Sequence, residues 1–493
     1  MTNTTYDTII IGTGLGGLVC GYKLAKGGRK VLLLEKNAQI GGCLQTFHRF
    51  GVKFDTGMHY IGAMDEGQIM YQFFEELNLL KDVRLSRLDE NGFDRFSIAG
   101  QEYKYAYGAD RFVETLSRQF PECRHELQTY VRCIQEIAEA SPLYKLDKAG
   151  DSSYLESPYL HSSVNELLAS ISNNKLLQNV LAGNLPLYAG VKDKTPAYVY
   201  ALISNSYLQS AWRIVGGSDS IAQSLANSIR SFGGEIRTQS EVSKILCDHD
   251  KATSVQLTDG EIIEAKHFIT DIHPQKVIQF IDSKLIRPVY RERVQQMENT
   301  VGNFTLYLKF KENSVPYFNY NYYYYAEEDV WASYHSQQAD PQNFLYMHQC
   351  TEDGQQYAHS AEIMVPMDYQ EVAKWGNTHT GQRGSKYQEF KQKKAEQVLN
   401  LLGQLFPGIN SCIENYESST PLTYRDYTGT TNGSTYGILH DKNAMELTSV
   451  SQRTKIPNLI MTGQNIHWHG MLGVTVSAML ACREHGIKLK TES

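Results

Sequence analysis

Several things are missing from this sequence, and each absence removes a class of protein. Its 493 residues hold no apolar run approaching the roughly 20 that cross a bilayer, so membrane contact is expected to be peripheral at most. Eight cysteines, at positions 20, 43, 123, 133, 247, 350, 412 and 482, show neither a CxxC pair nor zinc-ligand spacing. That argues against a disulfide-stapled scaffold and a structural zinc site. No signal peptide is read ahead of the first apolar segment, and a reducing cytoplasm, with or without membrane association, is the expected compartment. The net charge of −7 comes from interspersed acids and bases, which leaves no cationic face for nucleic acid. No feature identifies a protein partner. What the chain does have is length enough for two or three structural units around a large core, together with 38 glycines and 32 tyrosines.

The glycines are concentrated where they carry most information. Tyr6–Ile11 is a short Ile- and Thr-rich run suited to a strand buried on both faces. Gly12, Gly14 and Gly17 follow as G-x-G-x-x-G, with Leu15 and Gly16 between them. In such a turn the first glycine leaves the strand tightly, the second admits a pyrophosphate to the backbone, and the third lets the next helix lie close on the sheet. Leu15, Leu18, Val19, Tyr22 and Leu24 give that helix an apolar face, and Gly27-Gly28 ends it. Lys30–Leu34 reads as the second parallel strand. Glu35 at its end lies where a carboxylate binds ribose hydroxyls, with Lys36 beside it. A lone glycine fingerprint is weak; strand, helix, second strand and terminal acid in phase make a dinucleotide site.

Gly41 and Gly42 with Thr46 then give G-G-x-x-x-T, a second close backbone approach. This arrangement resembles FAD-containing oxidoreductases of the glutathione-reductase and amine-oxidase type. GGCLQTF at 41–47 followed by FDTGMHYIG at 54–62 resembles more narrowly the retinol saturase branch of the phytoene desaturase and carotenoid isomerase family. The resemblance implies FAD held by Gly12, Gly14, Leu15, Gly16, Gly17, Glu35, Lys36, Gly41, Gly42, Cys43 and Thr46. Most of that wider family carries arginine where this chain has Cys43, which is read as a small buried thiol rather than a nucleophile because nothing nearby activates it.

Downstream, residues 47–63 alternate as a hairpin, and 65–171 take up helical spacing interrupted at Pro142 and Gly150–Ser153. Residues 165–181 and 196–208 continue it, so an all-helical insertion capping a substrate cavity is expected. Residues 214–246 return to α/β: Gly216-Gly217-Ser218, an amphipathic helix, and a strand from Val242. They match the family's second FAD segment, in which Val242 backbone would hold the adenine. A meander ends at His273-Pro274, and 275–449 reads as a mixed sheet. The expected fold is therefore α/β: a glutathione-reductase-type, amine-oxidase-like Rossmann domain from residues 1–64, 210–274 and 450–493, plus an α+β substrate domain from 65–209 and 275–449.

The run YFNYNYYYY at 317–325 is either an edge strand using tyrosine for its β-propensity or a pocket wall. In the second reading Tyr320, Tyr322 and Tyr324 would offer ring faces to a long polyene. Near the C-terminus, STPLTYRDYTGTTNGSTYGI at 419–438 resembles the family's segment before the last flavin motif. Gly463-Gln464 ends a strand, and Gly473-Val474 opens the last helix, aimed at the flavin pyrimidine edge. Many relatives have aspartate where this chain has Gln464, a substitution shared with the retinol saturase branch.

His467 and His469, between the two terminal flavin contacts, and His59, in DTGMHYIG, are the candidate proton donors. Packing is their bland alternative, and no acidic or cysteine partner at metal-ligand spacing accompanies them. With FAD supplying hydride chemistry, saturating an unactivated C=C needs one such donor. The expected activity is an FAD-dependent oxidoreductase working on C=C bonds of a hydrophobic isoprenoid or polyene, as saturase, desaturase or isomerase. NAD(P)H stays open as an external reductant, since no second fingerprint exists. The alternatives are a flavin amine oxidase and a non-catalytic prenyl-group carrier of the Rab escort and GDP-dissociation-inhibitor type.

Overall fold

A computed structural model describes residues 6–141, 159 and 161–486; the interruption expected at Pro142 and Gly150–Ser153 lies outside the described residues. Strand Tyr6–Ile11 pairs in parallel with Val31–Leu34 on one side and Ile262–Thr270 on the other, Ile9 lying opposite Leu32 and Phe268. From Thr8 onward both faces of this strand are buried, which is why that stretch is the uncharged run Thr-Ile-Ile-Ile. Glu235–Arg237 extends the parallel set beyond Val31–Leu34, and Leu459–Met461 pairs with Ile262–Thr270. The antiparallel strands Lys251–Leu257 and Val242–Asp248 complete the expected meander. Helix Leu15–Lys26 lies on this sheet between helices Asp219–Ser231 and Gly470–Glu484. Three chain segments far apart in sequence, 6–34, 219–270 and 459–484, thus meet in one layer.

The second sheet has seven strands, in the order Ile413–Ser419, Gly302–Phe310, Ser360–Met367, Asn343–His348, Asn321–Tyr325, Asp94–Ile98 and Gln101–Tyr105. The last two overturn the expectation that 65–171 is helical throughout. They form a hairpin turned by Ala99 and Gly100, both at positive φ, and their alternation DRFSI and QEYKY is strand-like. Helices Ile69–Glu76, Ala109–Ser117, Arg124–Ala140, Val164–Ile171, Lys175–Ala182 and Ala197–Gln209 do form. One face of the seven-stranded sheet packs Phe304, Leu306, Phe344, Tyr346 and Ile363 toward helix Ser385–Leu405. The opposite face, carrying Leu345, Met364 and Tyr323, turns toward the helical layer.

That pleat decides the fate of the tyrosine run. Within Asn321–Tyr325 the buried residues are Asn321, Tyr323 and Tyr325, while Tyr322 and Tyr324 are half-exposed on the other face. Tyr320 precedes the strand and carries the Arg95 guanidinium 3.6 Å over its ring. The expectation that Tyr320, Tyr322 and Tyr324 form a pocket wall is therefore corrected: the alternation exists, with the opposite parity facing inward.

A cavity shared by two sheets

The first glycine turn is built by close approach. A Cβ on Gly17 would stand 2.2 Å from the Gly12 carbonyl oxygen, so only glycine lets the helix start this near the strand it follows. Gly42, at φ +56, would place a Cβ 3.1 Å from the Gly14 Cα, so the two glycine loops nearly touch. Glu35 is fixed at the end of its strand: one carboxylate oxygen accepts from the Thr13 N–H at 3.2 Å and the Thr13 hydroxyl at 2.5 Å, the other from the Asn37 N–H at 2.9 Å. The first-turn N–H groups of a helix have no intrahelical acceptor. In this helix the Gly17 N–H donates to Asp271 Oδ2 at 2.7 Å, leaving those of Leu15 and Gly16 facing the turn.

These residues open into a cavity whose free space, mouth included, is about 2500 Å³. Its wall includes Gly12, Gly14, Leu15, Glu35, Lys36, Gly41, Gly42, Cys43, Val242, Gly463, Gln464, Gly473 and Val474 from the expected FAD set. Gly16, Gly17 and Thr46 stand behind the wall: the two glycines let the helix approach, and Thr46 is buried in the hairpin Thr46–Arg49 and Val52–Asp55. The last helix runs Gly470–Glu484 with His469 at its N-cap, so Gly473 sits within its first turn rather than opening it.

Asp271 is the largest omission from the sequence reading. It follows strand Ile262–Thr270, its N–H donates to the Ile11 carbonyl, and its carboxylate fills the hollow between Gly14, Gly16 and Gly463. Burial, with Glu35 nearby, pushes its carboxyl up to about 7, against the pull of the Gly17 N–H, a shift that would lessen its repulsion of a bound pyrophosphate. The only signal in the sequence was an acid at the end of a strand. Lys36 and Lys276 also line this end, each held below the usual lysine range mainly by burial.

The glycine turn, the fixed Glu35, the paired glycine loops and the second helix N-terminus fit an FAD. Leu15 and Gly16 N–H groups would face its pyrophosphate, Glu35 its ribose, and the start of Gly470–Glu484 its ring.

Beyond the glycines the same cavity is apolar, lined by Ile61, Met70, Leu187, Val199, Leu202, Ile203, Leu345, Met364 and Trp468, with Tyr60, Tyr207 and Tyr436 among them. Tyr60 hydroxyl meets Tyr323 hydroxyl at 2.7 Å and Asp94 Oδ2 at 3.1 Å, so the inward tyrosines stand one side chain behind the wall. The three histidines separate here. His59 and His469 are at the wall, and His467 is not. The His469 ring lies against Tyr436 with centroids 4.1 Å apart and planes tilted by 31°, its Nε2 is 3.3 Å from the Leu187 carbonyl oxygen, and burial pulls the ring down to about 3. His467 is pulled to about 4 by the same cause. Cys43 is pushed up to about 11, mainly by burial, which keeps it a thiol. Among the described residues no group of three His, Cys, Asp or Glu side chains gathers to hold a metal ion.

Comparison with known proteins agrees with this geometry. Human all-trans-retinol 13,14-reductase is 26% identical over 96% of this chain and 84% of its own length. Prolycopene isomerase of Daucus carota is 22% identical over 99% of this chain and 81% of its own. Among solved structures, putrescine oxidase bound to putrescine superposes with a TM-score of 0.66 at 13% identity, covering 98% of each chain, a likeness of fold alone. The profile of the family described as flavin containing amine oxidoreductase matches residues 15–356, more than half of the sequence, and the chain belongs to that family.

Proposed function

We propose that this protein is an FAD-dependent oxidoreductase acting on carbon–carbon double bonds of a hydrophobic isoprenoid or polyene. The observation that carries the reading is a single cavity joining a dinucleotide-shaped glycine turn to a long apolar end. Bound FAD would supply hydride transfer at N5. The chain supports it with the two helix starts and Glu35, while Leu202, Ile203, Met364 and Trp468 exclude water and orient an apolar chain. The names of the retinol reductase and prolycopene isomerase relatives point to the same substrate class.

An amine oxidase is the competing reading, and the placement of charge counts against it. The carboxylates lining the cavity are Glu35, Glu241 and Asp271. Glu241 acts on Lys36 and Lys276, and Glu35 and Asp271 contact the first glycine turn. None of the three is at the apolar end, where an alkylammonium would have to be held. A prenyl-group carrier would not need the complete glycine set. The test is anaerobic reduction followed by reoxidation with polyene alcohols and, separately, amines. Flavin reoxidation with a product two hydrogens heavier supports the reading. Reduction by amines with hydrogen peroxide formed in air would replace it, and a purified protein releasing no flavin on denaturation would favour the carrier.

We further propose NAD(P)H as an external donor, checked by the rate at which it bleaches the flavin, and a cytoplasmic location with peripheral membrane contact, checked by vesicle flotation. No helix among the described residues is long and apolar enough to cross a membrane.

A further inference from the structure

The cavity wall hides a carboxylate behind one of its histidines. Glu362 lies in the middle of strand Ser360–Met367, opposite Tyr307 on one neighbouring strand and Met347 on the other, with its side chain fully buried. Its Oε2 is 3.1 Å from His59 Nδ1. His59 Nδ1, His59 Nε2 and Glu362 Oε2 are all buried and none makes a hydrogen bond within the protein, so the 3.1 Å contact is a close approach not yet aligned as a hydrogen bond. Gln349 Nε2 donates to the other oxygen, Oε1, at 2.5 Å. His59 comes from the loop after strand Val52–Asp55, which packs on Ser360–Met367, so two segments three hundred residues apart in sequence are brought together at the wall.

A buried carboxyl beside a buried imidazole is unstable as two separate charges and stable as one shared proton. The groups facing the pair bear this out. Burial, reinforced by Asp55, holds Glu362 well above the usual carboxylate range, against the Asp55 backbone N–H, Arg213 and Gln349; its charge is felt by Tyr307 and Tyr424. Burial and Arg213 hold the His59 ring down to about 3. Arg213 itself is buried, fixed by the Tyr320 carbonyl oxygen and Asn321 Oδ1 at 2.9 Å. Both shifts favour the uncharged forms, a carboxylic acid against a neutral imidazole.

We propose that His59 and Glu362 form the proton-delivering pair of this site, His59 giving the Nε2 proton to a substrate carbon and Glu362 acting as the positioning residue that resupplies the ring through Nδ1. The proposal rests on the C=C reading above. In the step, the π bond breaks; one carbon takes a hydride from the reduced cofactor, and the other forms a C–H bond with the proton leaving Nε2. Glu362 passes its proton to Nδ1, so the pair ends as carboxylate and neutral imidazole, one proton poorer, and regains that proton from water. The negative charge lost by the reduced cofactor reappears on the pair, where Arg213 stabilises it. The recorded interactions of His467 and His469 are instead with His440, the Leu187 carbonyl and the Tyr436 ring.

The test uses the holoenzyme and the Glu362→Gln, Glu362→Asp and His59→Gln variants. Infrared spectra without substrate should show a protonated carboxyl band that shifts in D2O and is absent from E362Q. Dithionite should reduce the flavin normally in every variant, while reoxidation by a polyene slows about 100-fold or more in E362Q and H59Q, in the range of general-acid contributions. E362D should recover part of the rate, and the limb of the pH–rate profile set by the pair should move in E362Q. A carboxyl band unchanged in E362Q, or wild-type reoxidation and pH profile in that variant, overturns the pair alone. A wild-type enzyme inert toward every polyene overturns the C=C reading and the pair with it. Should E362Q fail to fold, H59Q, at the cavity wall, reads the same step.

Discussion

The two ends of the cavity are made by different means. At the glycine end the geometry is written in backbone: the Gly12 carbonyl against Gly17, Gly14 against Gly42, and helix starts at Leu15 and Gly470. At the apolar end it is written in side chains from many sources, among them the loop after the hairpin, helices Ile69–Glu76 and Ala197–Gln209, the seven-stranded sheet and the Trp468–His469 segment. A backbone site tolerates almost no change, because no rotamer can relieve a clash with a carbonyl. A side-chain site can be reshaped while the fold stands. One end is thus suited to a fixed cofactor and the other to a substrate class.

The sharpest break in that contrast is Gly17→Ala. With its Cβ 2.2 Å from a carbonyl oxygen, we expect loss of flavin binding and about 3 kcal/mol of stability, read from flavin absorbance and denaturant midpoint. A stable, yellow G17A protein would show that the turn has slack. At the other end, Leu202→Trp should leave flavin content and spectrum intact while abolishing turnover of the longest polyenes and retaining the shorter ones. Loss of flavin in that variant would show that the two ends are not separable.

Acid and base should divide the ends as well. The buried His469 ring, pulled from 6.5 to about 3, contributes stability that is complete above pH 6.5 and is lost as pH falls toward its folded value. Asp271, raised from 3.8 to about 7, contributes stability that is complete below its unfolded value and is lost as pH rises through 7. Every pH unit that separates a group's folded and unfolded titration corresponds to about 1.4 kcal/mol. In flavin-free protein, His469→Gln should remove a loss of stability that grows as pH falls below 6.5, and Asp271→Asn a loss that grows as pH rises from about 4 to about 7, measured by urea midpoints from pH 4 to 9. The smallest effect concerns the tyrosine strand. Tyr323→Phe removes a buried hydroxyl contact to Tyr60 and should cost about 1 kcal/mol, whereas Tyr324→Phe on the half-exposed face should stay within about 0.5 kcal/mol. Equal losses would mean that the inward face has been misread.

The glycine end was legible because its rules are local. A strand, a glycine turn and a helix constrain one another within 30 residues, and Glu35 falls at a spacing fixed by that unit. Asp271 was not legible, since only the pairing of Ile262–Thr270 with Tyr6–Ile11 carries it to the turn. The hairpin Asp94–Tyr105 was absorbed into a helical expectation because it is short and lies between true helices. The tyrosine parity was missed for a simpler reason: alternation says that two faces differ, and not which one meets the protein.

From its own residues this sequence determined a dinucleotide turn and the acid that answers it, since those depend on backbone sterics and hydrogen bonds between near neighbours, while the later flavin segments were legible through family resemblance. Tertiary structure alone decided which of three histidines has a carboxylic acid behind it, which tyrosines turn inward and where Asp271 comes to rest. Those outcomes depend on the pleat and register of strands joined across hundreds of residues, and no local preference encodes them.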